Sequence, residues 1–379
     1  VSRNAEVIRS AFREYYFKQK SMHAPDAIDQ REFGYSQFGM HGMVRHLSFK
    51  SIGELIATLV KEVPSDVYCS NALYRFPTLP MQEKQWLGAD LIFDIDGKDL
   101  GLPCVPSHSY PICAACGHAS PPGDGDYSCS ACGGKKADRV SIPCGKCIDG
   151  SKKEARRLID FMTEDLGVER QNIDAYFSGN NGFHFHVRDD SYRPLDSQAR
   201  SDLVGYIAGI GLLAESMGVR KASGSDEAFV KFPKSGLALG WRKRVADKLK
   251  IDAASIIKLG NIAKEKGGYA GFKAELDRIA REMGARIDPQ VTTDVHRVFR
   301  MPGTINSKSG LAKIKCDDLD SFDPFTDACL LGSAKVRVKM KTQVKFRLKG
   351  EHYNLSKESA ELPAYAAVYL ICKGLADSA

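Results

Sequence analysis

Between residues 88 and 96 the chain reads GADLIFDID, a hydrophobic stretch broken by acids at a period of two. On a strand, Leu91, Phe93 and Ile95 share one face, while Ile92, Asp94 and Asp96 share the other. The string FHFHV, residues 183–187, alternates in the same way, with His184 and His186 on one face and Phe183, Phe185 and Val187 on the other. A short strand, DAYF, and the turn sequence SGNNG precede it. Helical spacing governs other segments. Val7, Ile8, Ala11, Phe12, Tyr15 and Tyr16 predict an amphipathic opening helix, and Ser51 followed by Glu54 reads as a capping box ahead of Leu55, Leu59 and Val60. Residues 151–166 predict a third helix stopped by Gly167. Further helices are expected from Asp196 to Met217 and across roughly 252–284, the latter polar enough for a peripheral insert. The last hundred residues alternate strand-like and irregular segments. Within them, basic residues from Lys335 to Lys349 fall on odd positions and apolar ones on even positions, which predicts a long strand or hairpin with one basic face.

The chain has 379 residues, 43% hydrophobic and 27% charged, which suits a globular protein of two or three domains. Its longest apolar runs, 204–214 and 365–372, are too short to span a bilayer, and the first residues carry charge too early for a secretory signal. The reading is therefore a soluble intracellular protein with no membrane partner. A net charge of +7 permits a polyanionic partner without demanding one. The basic face at 335–349 fits either a strand kept soluble by lysines or a stripe that follows phosphates.

Seven of the eleven cysteines fall between Cys104 and Cys147. Cys113-x2-Cys116 and Cys129-x2-Cys132, twelve residues apart, match two knuckles closing one thiolate zinc site. A second zinc site would pair Cys144 and Cys147 with Cys104 and His108. Both would be structural, because full coordination by Cys and His leaves no position for substrate.

Asp94 and Asp96 ahead of Gly97 fit two readings: turn aspartates at a strand end, or carboxylates that hold Mg²⁺ or Mn²⁺, which in turn hold a triphosphate. The second needs a third acid and phosphate-binding groups. In the SGNNG turn, Ser178 and Gly179 can bring backbone N–H groups close to an anion, beside His184 and His186. Nothing marks Ser178 as a hydrolase nucleophile.

Taken in order, REF (31–33), VRHLSF (44–49), GADLIFDID, the cysteine cluster, SGNNGFHFHV, IDPQVTTDVHRVFRMPGTINSKSG (287–310) and LPAYAAVYLICKGLA resemble the catalytic small subunit of the archaeal and eukaryotic type of DNA primase. The resemblance implies an α/β (α+β) fold: a primase-polymerase core of two packed mixed sheets, part of it like an RNA recognition motif, with a zinc-binding module and a small helical insert. On that scheme 1–103 and 148–235 form the first part of the core, 104–147 the zinc module, 236–285 the insert and 286–379 the rest of the core. By position, Asp94, Asp96 and Asp288 match the catalytic metal-binding aspartates, and Arg45, Ser178, His184 and Arg300 match contacts to the nucleoside triphosphate.

Two departures stand out. Asn306 replaces a usual histidine and Asn181 a frequent arginine, so the triphosphate would rest more on Arg45, Arg300 and Lys308. The implied activity is template-directed synthesis of short primers by two-metal nucleotidyl transfer, starting DNA replication. Implied partners are single-stranded DNA, a primer, nucleoside triphosphates and a large subunit carrying an iron–sulfur domain. The location would be cytoplasmic, at the nucleoid, in an archaeon, and nuclear in a eukaryote. Rival readings are a stand-alone primase-polymerase, a metal-dependent nuclease and a non-catalytic zinc-ribbon module.

Overall fold

The computed structural model describes residues 2–19, 22–123, 125–230, 239–251 and 257–379. The chain divides into two compact units: 1–152 with 174–195 and 294–379, and 153–173 with 196–293. The expected boundary at 235 and 236, and residues 252–256 of the expected 252–284 helix, lie outside the described residues.

The first unit is mixed α/β. Four strands, ordered Val298–Arg300, Asp66–Ser70, Phe33–Ser36 and Val44–Leu47, form an antiparallel sheet. A second sheet runs in the order Ile314–Lys315, Ile173–Phe177, Gly182–Val187 and Leu91–Asp96. We call Leu91–Asp96 the aspartate strand and Gly182–Val187 the histidine strand. Their alternation appears in burial: Leu91, Phe93, Ile95, Phe183 and Phe185 are at most 1% exposed, forming a dry layer behind the acids and histidines. The two sheets meet through Phe299, whose ring lies 5.9 Å from that of His184 and 6.2 Å from that of His186, both edge-on.

Helix Arg3–Lys18 is capped by Ser2, whose side chain accepts from the N–H of Ala5, and buries Ile8, Ala11, Phe12 and Tyr16. The capping box at Ser51 forms with one change. Ser51 Oγ accepts from the N–H of Glu54, but the Glu54 carboxylate accepts from Lys50 N at 2.8 Å rather than from the cap residue itself.

The carboxy-terminal region departs from the reading of 335–349 as one strand or hairpin. Lys335–Met340 pairs with Ser359–Pro363 and Ala376–Ser378, while Val344–Leu348 pairs with Glu351–Leu355, so the basic residues are divided between two sheets. The even positions from Val338 onward are buried as their alternation requires, including Val338, Met340, Val344 and Leu348, while Val336 is half-buried. The region also holds helix Ala364–Cys372, buried over most of its length because nearly every residue is apolar. No helix among the described residues is long and apolar enough to cross a membrane.

In the second unit the expected helix 196–217 ends at Ala208, where Gly209 adopts a left-handed conformation, and Ala214–Met217 forms only a short 3₁₀ turn. The 252–284 segment contains two helices, Ile257–Glu265 and Tyr269–Met283, separated where Gly267 and Gly268 both take positive φ. The 151–166 helix begins earlier, as Gly145–Asp160, and widens into a π-helical turn at Phe161–Asp165. Phe161, Tyr206 and Trp241 pack together there, and Arg244 lies 3.9 Å over the Phe161 ring while gripping Asp165 through two 3.0 Å bonds.

Candidate active site and metal clusters

The aspartate and histidine strands pair antiparallel with Gly182 opposite Asp96 and His184 opposite Asp94. This register sets two half-buried carboxylates and one imidazole on the same face, with His184 Nε2 3.4 Å from Asp94 Oδ1. Asp96 accepts from Lys98 N at 3.1 Å and meets Lys98 Nζ at 2.9 Å, a lysine 71% exposed and free to swing aside. Burial, followed by the charges of Lys313 and Arg300, holds the pKa of His184 well below the usual histidine range, so the ring is neutral. Its Nδ1 is buried with no hydrogen-bond partner.

The SGNNG turn closes over this face. Ser178 N donates to Gly182 O and Gly97 N donates to Asn181 O, tying the turn to the end of the aspartate strand. Gly179 has φ +85°, and a Cβ there would lie 2.9 Å from Asn306 Cβ and 3.1 Å from Leu311 O, so only glycine fits. Ser309 Oγ donates to Gly179 O, and Asn306 Nδ2 donates to Ser178 O at 3.4 Å. Asn306 Oδ1 accepts from the backbone N–H of exposed Lys308. The first structure-forming role of Asn306 is thus to hold the turn.

The first sheet supplies the arginines. Arg300 Nη1 donates to Asp66 Oδ1 at 2.6 Å, and Asp66 also accepts from Ser307 N and Oγ. Burial opposes ionisation of Asp66, but Arg300 and Ser307 outweigh it and hold its pKa below the usual carboxylate range. Arg45 forks onto Glu32 at 2.8 and 3.1 Å. Glu32 is fully buried and also meets Lys84, itself fully buried, at 3.3 Å. Sequence reasoning missed Asp66 and Lys84, although Glu32 lies inside the quoted REF string. An isolated lysine at 84 gives no periodic signal.

Asp288 belongs to the second unit. It stands just before the short helix Pro289–Thr293, half-buried, and accepts from Gln290 N at 2.9 Å.

Two Cys/His groups in the first unit could hold zinc ions. In each, the ligand atoms all lie within 4.8 Å of one another: Cys113, Cys116, Cys129 and Cys132 form one group, and Cys104, His108, Cys144 and Cys147 the other. In the first, Gly117 N donates to Cys113 O and Gly133 N to Cys129 O, two matching turns closed by glycines at φ +70° and +71°. The Cys113–Cys132 and Cys116–Cys129 Sγ separations are both 3.6 Å, close to the roughly 3.8 Å edge of a tetrahedron with Zn–S bonds of about 2.3 Å. In the second, Cys147 Sγ lies 3.4 Å from Cys104 Sγ and 3.2 Å from His108 Nε2, while His108 Nδ1 meets Ser141 Oγ at 3.0 Å, which fixes the ring.

Paired carboxylates on a rigid strand, a tight glycine turn and basic side chains on a facing sheet define an enzyme class that works on phosphate esters. Comparison with known proteins narrows it. Residues 138–317 match the DNA primase small subunit family. The chain is 42% identical over 375 residues to the DNA primase small subunit PriS of Cenarchaeum symbiosum, covering 98% of each. It is 42% identical over 373 residues to PriS of Nitrosopumilus maritimus, covering 97% of each. The PriS of Methanococcoides burtonii is 30% identical over 417 positions, covering 98% of this chain and 97% of its own. The chain belongs to the DNA primase small subunit family, and its activity is that of a primase catalytic subunit, a nucleotidyltransferase that makes primers for DNA replication.

Proposed function

We propose that Asp94, Asp96 and Asp288 together hold the divalent cations, Mg²⁺ or Mn²⁺, of a primer-synthesising centre. The donor chemistry supports this: two half-buried carboxylates share one face, and the cation paired with Asp96 is an exposed lysine that a hard metal ion can displace. When bound, such ions supply charge neutralisation at the triphosphate and lower the pKa of the attacking 3′-hydroxyl. The chain's own residues do the rest. Arg45 and Arg300 meet phosphate oxygens through charge-assisted bonds, with Lys308 adding a further positive charge at the rim. Ser178 and the Gly179 backbone cradle the same phosphates, and neutral His184 donates a hydrogen bond without adding charge beside the metal ligands. Glu32 and Asp66 hold the two arginines in place.

We further propose that the two four-stranded sheets form a primase-polymerase core, part of it like an RNA recognition motif. Residues 104–147 would be its structural zinc module and 236–285 a helical insert. The working partners are a single-stranded DNA template, nucleoside triphosphates, the growing primer and a large subunit with an iron–sulfur domain. The name "small subunit" of the relatives supports such a partner.

The observation that carries this reading is the register placing His184 opposite Asp94 beside the Gly179 turn. Its test is primer synthesis on a single-stranded template with ribo- or deoxyribonucleotides, with Mg²⁺ or Mn²⁺, with and without the large subunit. Asp94→Asn, Asp96→Asn and Asp288→Asn should each abolish synthesis while circular dichroism and melting stay unchanged. Full activity in folded Asp288→Asn would reject the three-aspartate centre.

A further inference from the structure

Beside His184, on the same face of the second sheet, the first unit holds a second space. A cavity of about 550 Å³ opens between the two sheets, floored by Ile92 and His186 and walled by Tyr176, Cys69 and Phe299. Asp94, Asp96, Ser178 and His184 are not among its lining residues, whereas Arg300 and Phe299 are. Its volume is that of a site for one small organic ligand.

The charges around it do not balance. Six arginine or lysine side chains line the cavity against four aspartates. Two of those aspartates are each shared by two cations: Asp90 by Arg31 at 2.7 Å and Arg193 at 3.1 Å, and Asp174 by Arg188 at 2.8 Å and Lys315 at 2.9 Å. Lys313 is 0% exposed and forms no ion pair among the described residues. Its Nζ meets only neutral groups, His186 Nε2 at 3.1 Å and the face of Tyr176 at 5.2 Å. Burial, followed by the charge of Arg300, pushes its pKa down to about 7 against the smaller pull of Asp94. An amine buried among neutral groups, at the wall of a cavity where Asp90 and Asp174 are each shared between two cations, gains a counter-ion and holds its proton when an anion enters.

We propose that this cavity is a second ligand site, beside the primer-synthesising centre and sharing Arg300 with it, which takes a small phosphate-bearing anion of up to mononucleotide size. Lys313 meets the phosphate, and Tyr176 and His186 give aromatic walls against which a base can stack. Because His186 and His184 share one face of the histidine strand and both lean on Phe299, a ligand here lies alongside the imidazole that faces Asp94.

The test is calorimetric titration of the full chain, without template or divalent metal, using inorganic phosphate in one arm and AMP in the other. Each arm is repeated with Lys313→Met and with Arg45→Ala, which lies outside the cavity. The expected result is AMP binding weakened about tenfold or more by Lys313→Met, the usual loss for one charge-assisted contact, and unchanged by Arg45→Ala. Equal affinity for phosphate and AMP would support the site with phosphate as its natural occupant; tighter AMP binding would support a nucleotide. Circular dichroism and melting check that Lys313→Met is folded, and Lys313→Arg, which keeps the charge, should retain binding. The proposal is overturned if neither compound binds at millimolar concentration, or if binding is lost in Arg45→Ala and kept in Lys313→Met.

Discussion

Glu32 and Lys84 form an ion pair with neither side chain exposed, and Glu32 also takes the fork of Arg45. Burial raises the cost of ionising Glu32, but Arg45 and Lys84 outweigh it and hold its pKa below the normal glutamate range. Burial pulls Lys84 the other way, below the normal lysine range, against the pull of Glu32. Replacing one partner strands the other's charge in a dry site, which costs about 3–5 kcal/mol. Arg45 is 36% exposed and can turn to water, so its share is about 1 kcal/mol or less. Glu32→Gln and Lys84→Met should therefore each lower the unfolding free energy of the first unit by about 3–5 kcal/mol. The double variant should lose far less than the two added together, with a coupling of at least about 2 kcal/mol. The assay is urea unfolding followed by tryptophan fluorescence in a Trp241→Phe background, where Trp86, two residues from Lys84, is the remaining tryptophan. Losses that simply add in the double variant would refute the argument, since the two charges would then not be each other's compensation.

Three other outcomes follow from the geometry. The purified chain should carry two zinc ions, one lost in Cys113→Ser and the other in Cys147→Ser, read by elemental analysis; a single ion surviving in neither variant would contradict two separate groups. The proton of Lys313 gives a pH dependence: between about pH 7 and 10.5 the unfolded chain keeps a proton that the folded chain has released, so stability should rise with pH by up to about 1.4 kcal/mol per unit. Lys313→Met should remove that slope in urea unfolding from pH 7.5 to 9.5, and parallel curves for the two proteins would refute it. Gly179→Ala should raise the KM for nucleoside triphosphates several-fold and cost about 1–3 kcal/mol of stability, because the added Cβ meets Asn306 and backbone at a positive φ; an unchanged KM in the folded variant would show that the turn does not touch substrate.

The elements that were legible in sequence are those whose burial is one-sided. The aspartate strand, the histidine strand and helix Arg3–Lys18 each show one period over enough residues to fix both type and facing. The cysteine spacings likewise anticipate two groups, because knuckle geometry is local. What failed was pairing and termination. The alternation at 335–349 is real in burial, yet alternation carries no information on which strand sits alongside, and the two halves joined different sheets. Helix 196–217 stopped at Gly209 because a left-handed glycine cap outweighed the apolar residues beyond it. Of the site, the strand residues were readable, whereas Lys84, Asp66 and Lys313 become significant only through partners distant in the chain: Glu32, Arg300 and His186.

The pairing of His184 with Asp94 makes the centre tolerant of one kind of genetic change and intolerant of another. A point substitution in either strand leaves every neighbour facing the same way. Inserting or deleting a single codon in Leu91–Asp96 or Gly182–Val187 turns the downstream side chains through the sheet, sending acids or imidazoles into the layer now filled by Phe93, Phe183 and Phe185. Natural length variation should accordingly collect in the connections and leave these two six-residue segments untouched.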